Sequence, residues 1–149
     1  MDLKLERAGP AVVVRVEKGT LVIEEDTREL HDVVRALTTF DPGCSVVMDL
    51  ERLHELDCAG IGQLMQIRQQ VCELGGVFAL LNVAPRHRKL LEILGLLRVL
   101  PVFRNRDEAV TACWSAQARR DVERGRRVEA HPWLARSVFG GGLRPAMDF

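Results

Sequence analysis

Apolar residues along this chain recur in two rhythms, one of period two and one near 3.6. Ala11-Val12-Val13-Val14-Arg15-Val16 is a β-branched run that predicts a strand. Before it, Leu3-Lys4-Leu5-Glu6 alternates and predicts a short edge strand, joined through a Gly9-Pro10 turn. Gly19-Thr20 turns the chain, and Leu21-Val22-Ile23 reads as a brief extended segment. Asp26 or Thr27 is placed to cap a helix whose apolar face is formed by residues 30, 33, 34 and 37. Asp41-Pro42-Gly43 ends that unit, and a strand over 46–50 follows, with Asp49 at its end. A loop then leads to a helix over 60–74. Residues 61, 64, 67, 71 and 74 lie on one stripe, while Gln63, Gln66, Gln69, Gln70 and Glu73 face away. Gly75-Gly76 stops this helix. Residues 77–83 are apolar nearly throughout, as a buried central strand requires. Pro85 in a first-turn position opens a short helix carrying Leu90, Leu91, Ile93 and Leu94, which Gly95 ends. Val99 to Phe103 predicts a last edge strand, interrupted by Pro101, and Asp107 caps a final helix with Ala109, Val110, Cys113 and Trp114.

The predicted order is β-β-α-β-α-β-α-β-α. Strands alternating with helices predict an α/β layer structure, with a mixed, centrally parallel β-sheet of 4–5 strands and about four helices. The regular pattern degrades after residue 118, which divides the chain into a domain over 1–118 and a C-terminal extension over 119–149. Arg119 to Arg127 can prolong the last helix as far as Gly125. His131-Pro132-Trp133, Gly140-Gly141-Gly142 and Pro145 then read as an appended tail.

Composition narrows the function classes. The chain of 149 residues is 47% hydrophobic and 28% charged, the mix of a soluble globular protein with one core. Basic and acidic residues balance at 21 each, so no global field favours nucleic acid or an anionic membrane, and no direct membrane insertion is expected. The balance hides a mildly acidic body and a basic tail. Residues 1–118 hold 14 Lys/Arg and 17 Asp/Glu, and residues 119–149 hold 7 Arg and 4 acids. Met1 to Arg7 lacks the apolar core of a signal peptide, and no apolar run approaches the ~20 residues of a membrane span. Cysteines 44, 58, 72 and 113 form no C-x-x-C pair; free thiols in a reducing cytoplasm are expected.

Candidate chemistry concentrates at Asp57-Cys58-Ala59-Gly60-Ile61-Gly62, where a loop enters a helix. Helix N-termini carry unpaired N–H groups and a partial positive charge, and glycines let other groups approach closely. The segment therefore suits an anion or a partner's loop. A tight strand-to-helix turn that needs glycine for packing has the same letters. Cys58 stands where a capping hydroxyl is expected, as either a reactive thiol or an inert, half-buried one. Asp57 can accept a backbone hydrogen bond or contact a partner. Asp49 ends a strand, a position suited to a catalytic carboxylate or to loop capping, and no second group pairs with it in the sequence. Arg86-His87-Arg88-Lys89 opens the short helix as a solvated polar face or an acidic partner's contact. Dinucleotide, Walker A, zinc and serine-hydrolase motifs are absent: Met65 occupies the last position of a would-be G-x-G-x-x-G, and the four histidines lack zinc-ligand spacing. No catalytic residue, cofactor or metal is expected.

Taken together, V-V-M-D-L-E-R-L-H-E-L-D-C-A-G-I-G-Q-L, G-G-V-F-A-L-L-N-V, L-L-E-I-L-G-L-L-R-V-L-P-V-F and D-E-A-V resemble the STAS domain, over roughly residues 3–117. Its single-domain members include bacterial anti-sigma factor antagonists. The resemblance implies a protein–protein switch. In the family, the loop before this helix reads Asp-Ser-Ser/Thr-Gly, and a histidine-kinase-like ATPase, which is also the anti-sigma factor, phosphorylates the serine after the aspartate. The unphosphorylated antagonist binds that kinase and frees the sigma factor, and phosphate weakens the binding. Here Cys58 replaces the serine and Ala59 the next hydroxyl residue. Three roles follow from this departure: a constitutive binder in partner switching, a scaffold such as an accessory subunit of a lipid-transport ABC ATPase, or a thiol-based sensor through Cys58. Homodimerisation is compatible with each.

Overall fold

The structure, a computed structural model, describes residues 2–18, 20–21 and 24–123. Five strands form the main sheet: β1 (Asp2–Ala8), β2 (Ala11–Lys18), β4 (Ser45–Asp49), β6 (Phe78–Leu81) and β7 (Val102–Phe103). Their spatial order is β1-β2-β4-β6-β7. β1 runs antiparallel to β2 and all other neighbours are parallel. This is the mixed, centrally parallel sheet that the alternation predicted. Two further strands, β3 (Thr20–Leu21) and β5 (Glu55–Leu56), pair in parallel as a separate two-stranded sheet. β5 was expected to be loop. Its two residues are too few to show a period, and only its partner across the fold makes it a strand.

Four helices complete the described chain: α1 (Glu24–Phe40), α2 (Cys58–Glu73), α3 (Pro85–Ile93) and α4 (Arg106–Glu123). Side-chain alternation along the strands divides the core into two layers. Val12, Val14, Val16, Val46, Met48, Phe78 and Leu80 meet Leu30 and Val34 of α1, Ile61, Leu64, Ile67 and Val71 of α2, and Leu91 of α3. Ala11, Val13, Val47, Ala79 and Leu81 point the other way and meet Ala109 and Cys113 of α4. Small side chains on that second face let α4 lie close to the sheet.

Several boundaries move. α1 starts at Glu24, so Asp26 and Thr27 lie inside its first turn. The predicted strand 77–83 shortens to four residues, and the strand over 99–103 to two. Around Pro101 the chain cannot donate to the ladder, although its carbonyl still accepts from Leu80 N–H at 2.9 Å. Asn105, not Asp107, caps α4: its Oδ1 accepts from the N–H groups of Asp107 (2.7 Å) and Glu108 (3.3 Å). Leu74 is 49% exposed and falls off the buried stripe of α2, because it is the C-cap and no longer helical. Gln63 does not face away. It meets His31 of α1 at 2.6 Å and ties the two helices together. Val22 and Ile23, and everything from residue 124 on, lie outside the described residues. α4 runs unbroken past residue 118, and Arg120 donates to the carbonyls of Gly75 (3.0 Å) and Gly76 (2.6 Å).

The end of α2 shows how local sequence sets the path into β6. Gly75 takes φ +92°, a left-handed conformation that favours glycine. It lets Gly75 N–H reach Cys72 O (3.0 Å) and Gly76 N–H reach Val71 O (3.1 Å), which satisfies two of the last carbonyls of the helix.

Candidate functional site

The loop 50–57 starts from a buried carboxylate. Asp49 is 2% exposed at the end of the central strand. Parallel pairing of β2 with β4 puts Arg15 beside it, and Arg15 Nε donates to Oδ2 at 3.3 Å. Oδ1 accepts from Glu51 N–H at 3.0 Å and from Asn82 Nδ2 at 3.4 Å. The sequence showed no partner for Asp49; the sheet register supplies one. The carboxylate is used to pair β2 with β4 and to shape the loop's first turn, which is the loop-capping role.

The loop returns through β5 to Asp57, which is extended at φ −115° and ψ −176°. Its Oδ1 accepts from Gly60 N–H at 2.8 Å, and its carbonyl accepts from Ile61 N–H at 2.9 Å. Asp57 is therefore the N-cap of α2, with its negative charge at the positive end of the helix. Cys58, expected at the cap, is the first helical residue instead. The otherwise open N–H of Gly60 is taken by the Asp57 side chain, and Ile61 N–H makes the first i→i−4 bond of the helix.

The six candidate residues divide by burial. Asp57, Cys58, Ala59 and Gly62 are exposed, while Gly60 and Ile61 are buried. Ile61 belongs to the core and anchors the turn. A Cβ placed on Gly62 would meet nothing within 4 Å, so this glycine is not required for packing. The exposed four form one small, hydroxyl-free surface at the N-terminus of α2. Among the cysteines, Cys44 and Cys113 are buried. Burial pushes both thiols up, Cys113 to about 12, and keeps them protonated. Cys58 is an exposed free thiol.

α3 borders the same surface. Arg86 Nη2 donates to His54 O at 2.6 Å and holds the loop against the start of α3. His87 is 4% exposed, not part of a solvated polar face. It sits one helical turn before fully buried Leu91, a spacing of four that reveals its orientation once Leu91 is known to be inside. Burial first, and then the nearby Arg86 charge, lower the His87 pKa. The unfolded chain then binds the extra proton more readily than the folded one. Stability should fall as pH drops through and below the ordinary imidazole value, about 6.5. Thermal melts at neutral and mildly acid pH should show a larger drop for the wild type than for His87→Leu. Equal drops would assign the acid sensitivity to other groups.

Among the described residues no group of His, Cys, Asp or Glu could hold a metal ion, and no helix is long and apolar enough to cross a membrane.

Comparison with known proteins agrees with this architecture. BtrV of Bordetella bronchiseptica, which carries the provisional description of an anti-sigma factor antagonist, is 32% identical over 74 residues, 50% of this chain and 64% of that protein. The match thus takes in less than two thirds of that relative's own length. An anti-sigma-factor antagonist domain protein from Planctomyces limnophilus superposes with a TM-score of 0.64 at 20% identity, covering 76% of this chain and 98% of that one. The Bacillus cell fate determinant SpoIIAA in its phosphorylated form does so with a TM-score of 0.55 at 21% identity, covering 74% and 98%. The sequence model of the STAS domain matches residues 6–109, from the first strand into α4, and the chain belongs to that family.

Proposed function

We propose that this chain is a non-enzymatic docking module of the anti-sigma factor antagonist kind, which binds a histidine-kinase-like ATPase through the exposed N-terminus of α2. The observation that carries this reading is the surface of Asp57, Cys58, Ala59 and Gly62, held by the Asp57 cap and anchored by buried Ile61. Similarity to antagonists supports the partner class. The partner surface contains no hydroxyl at Cys58 or Ala59, so a serine kinase has no acceptor there. The module therefore stays in its binding state, in the cytoplasm, with no cofactor.

The test mixes the purified chain with the histidine-kinase-like ATPases of the same cell and follows complex formation with and without ATP. The wild type should bind one of them whether or not ATP is present. Cys58→Ser should accept phosphate and then let go, since phosphate adds about 1.5–2 negative charges to the contact. If no such ATPase binds, the proposal is wrong.

Two substitutions separate docking from folding. Gly62→Ala should stabilise the chain by roughly 0.5–1 kcal/mol, because alanine restricts the unfolded backbone and meets nothing in the fold. It should nevertheless weaken docking, since the methyl stands on the exposed contact surface. Asp57→Ala should cost about 1 kcal/mol of stability through the lost cap and also weaken docking. Denaturant melts beside binding titrations check both, and unchanged affinity in both variants would move the interface elsewhere.

A further inference from the structure

His87 presents an unmet requirement. Its Nδ1 is closed off from solvent and has no hydrogen-bond partner among the described residues. A buried nitrogen left in that state costs roughly 1–3 kcal/mol. His87 forms part of the wall of a shallow cleft of about 320 Å³, with His54, Glu55, Leu56, Asp57 and Arg86. The cleft adjoins the proposed docking surface, because Asp57 belongs to both.

Arg86 stands beside His87 and is exposed. One arm of its guanidinium is committed to His54 O, and the remaining N–H groups are available. Imidazole and guanidinium together would be completed by one negatively charged acceptor. We propose that this cleft is a subsite for a side-chain carboxylate of the docked protein. The inference rests on the docking reading and names the chemistry of the partner residue that enters. A carboxylate matches the planar fork of Arg86 and can take a hydrogen bond from His87 after a ring turn. Glu55 and Asp57 oppose a doubly charged phosphate more strongly than a singly charged carboxylate. Asp57 is in any case committed to the helix end, and Glu55 is exposed, where water and salt screen it. A basic side chain would meet the Arg86 charge and leave His87 unserved.

Binding is then linked to proton uptake. The titratable and charged groups that line the cleft with His87 are Arg86 on its own helix and His54, Glu55 and Asp57 across it. Adding an anion beside His87 favours its imidazolium form, so the carboxylate should bind more tightly as pH falls toward mildly acid values.

The test uses the full chain, isotopically labelled, and observes the His87 ring and Arg86 guanidinium signals by NMR. The probe is a short peptide, blocked at both ends, with one glutamate. Its glutamine counterpart and inorganic phosphate serve as the other arms. The glutamate peptide should shift both signals saturably in the millimolar range, as a lone charge-assisted contact allows, and should raise the His87 titration midpoint. The glutamine peptide should not. His87→Leu and Arg86→Gln should each abolish the shift, while Arg88→Gln retains it. If Arg86→Gln displaces the amide signals of residues 54–57, His87→Leu decides alone. Equal effects of the two peptides, no effect of either, or a response to phosphate only would overturn the subsite. Should the ATPase bind wild type and Arg86→Gln equally but fail with Asp57→Ala, the subsite falls and the docking surface stands. A carboxylate response with no ATPase bound would leave the cleft and remove the proposed function.

Discussion

Gly76→Ala is expected to destabilise the chain by about 3 kcal/mol, the upper range for overpacking. A Cβ at this position would lie 2.1 Å from the carbonyl oxygen of Cys44, with Cys44 C and Val71 Cγ1 both at 2.9 Å. The obstacle is backbone, so no rotamer change relieves it. Cys44 immediately precedes the central strand, where Ser45 N–H donates to Pro10 O and Val46 N–H to Val77 O. Moving it would disturb two strand pairings at once. Urea melts should show the loss beside a gain for Gly62→Ala, the same chemical change with open space around it. A loss for Gly76→Ala below about 1 kcal/mol, the middle of the range for ordinary substitutions, would mean that the α2–β6 turn yields easily.

Asp49→Ala is expected to cost about 2–3 kcal/mol. It removes the acceptor for Glu51 N–H and leaves Arg15 without its carboxylate. The Arg15 side chain is 34% exposed, so its charge can partly return to water, which keeps the loss below that of a fully buried pair. Asp49→Asn keeps an acceptor for Glu51 and should lose less. Equal losses in the two variants would assign the whole effect to the ion pair rather than to the loop bond. Docking through α2 should weaken with either variant only in proportion to instability. A direct loss of affinity in a folded variant would make Asp49 part of the interface.

Much of the fold was legible because local chemistry determines local shape. The valine run of β2, the apolar stripe of α2 and the glycines that end α2 and α3 each specify their element without distant help. The candidate site was legible as a place, since glycines after a loop and before an apolar stripe mark a helix start. Its parts were less so. Which residue caps α2 depends on the backbone angles of Asp57, and β5 exists only through β3. The alternating order and the place of 57–62 at the start of a helix came from sequence, as did the Arg86–Lys89 cluster, whereas the burial of Gly60, Ile61 and His87 and the Arg86 brace on the loop did not.

By itself, then, the sequence determined the order of the main-sheet strands and the helices and the residues that turn the chain. These are short-range properties, set by φ/ψ preference and by the spacing of apolar side chains. Only the tertiary structure decided which face of β2, β4 and β6 meets α1 and α2 and which meets α4, because both faces of those strands are apolar. It also decided that Arg15 pairs with Asp49 and that Arg86 reaches His54, contacts between residues more than thirty positions apart. Such pairs are fixed by sheet register and helix placement, which depend on the burial of the whole chain and leave no mark on any one stretch of it.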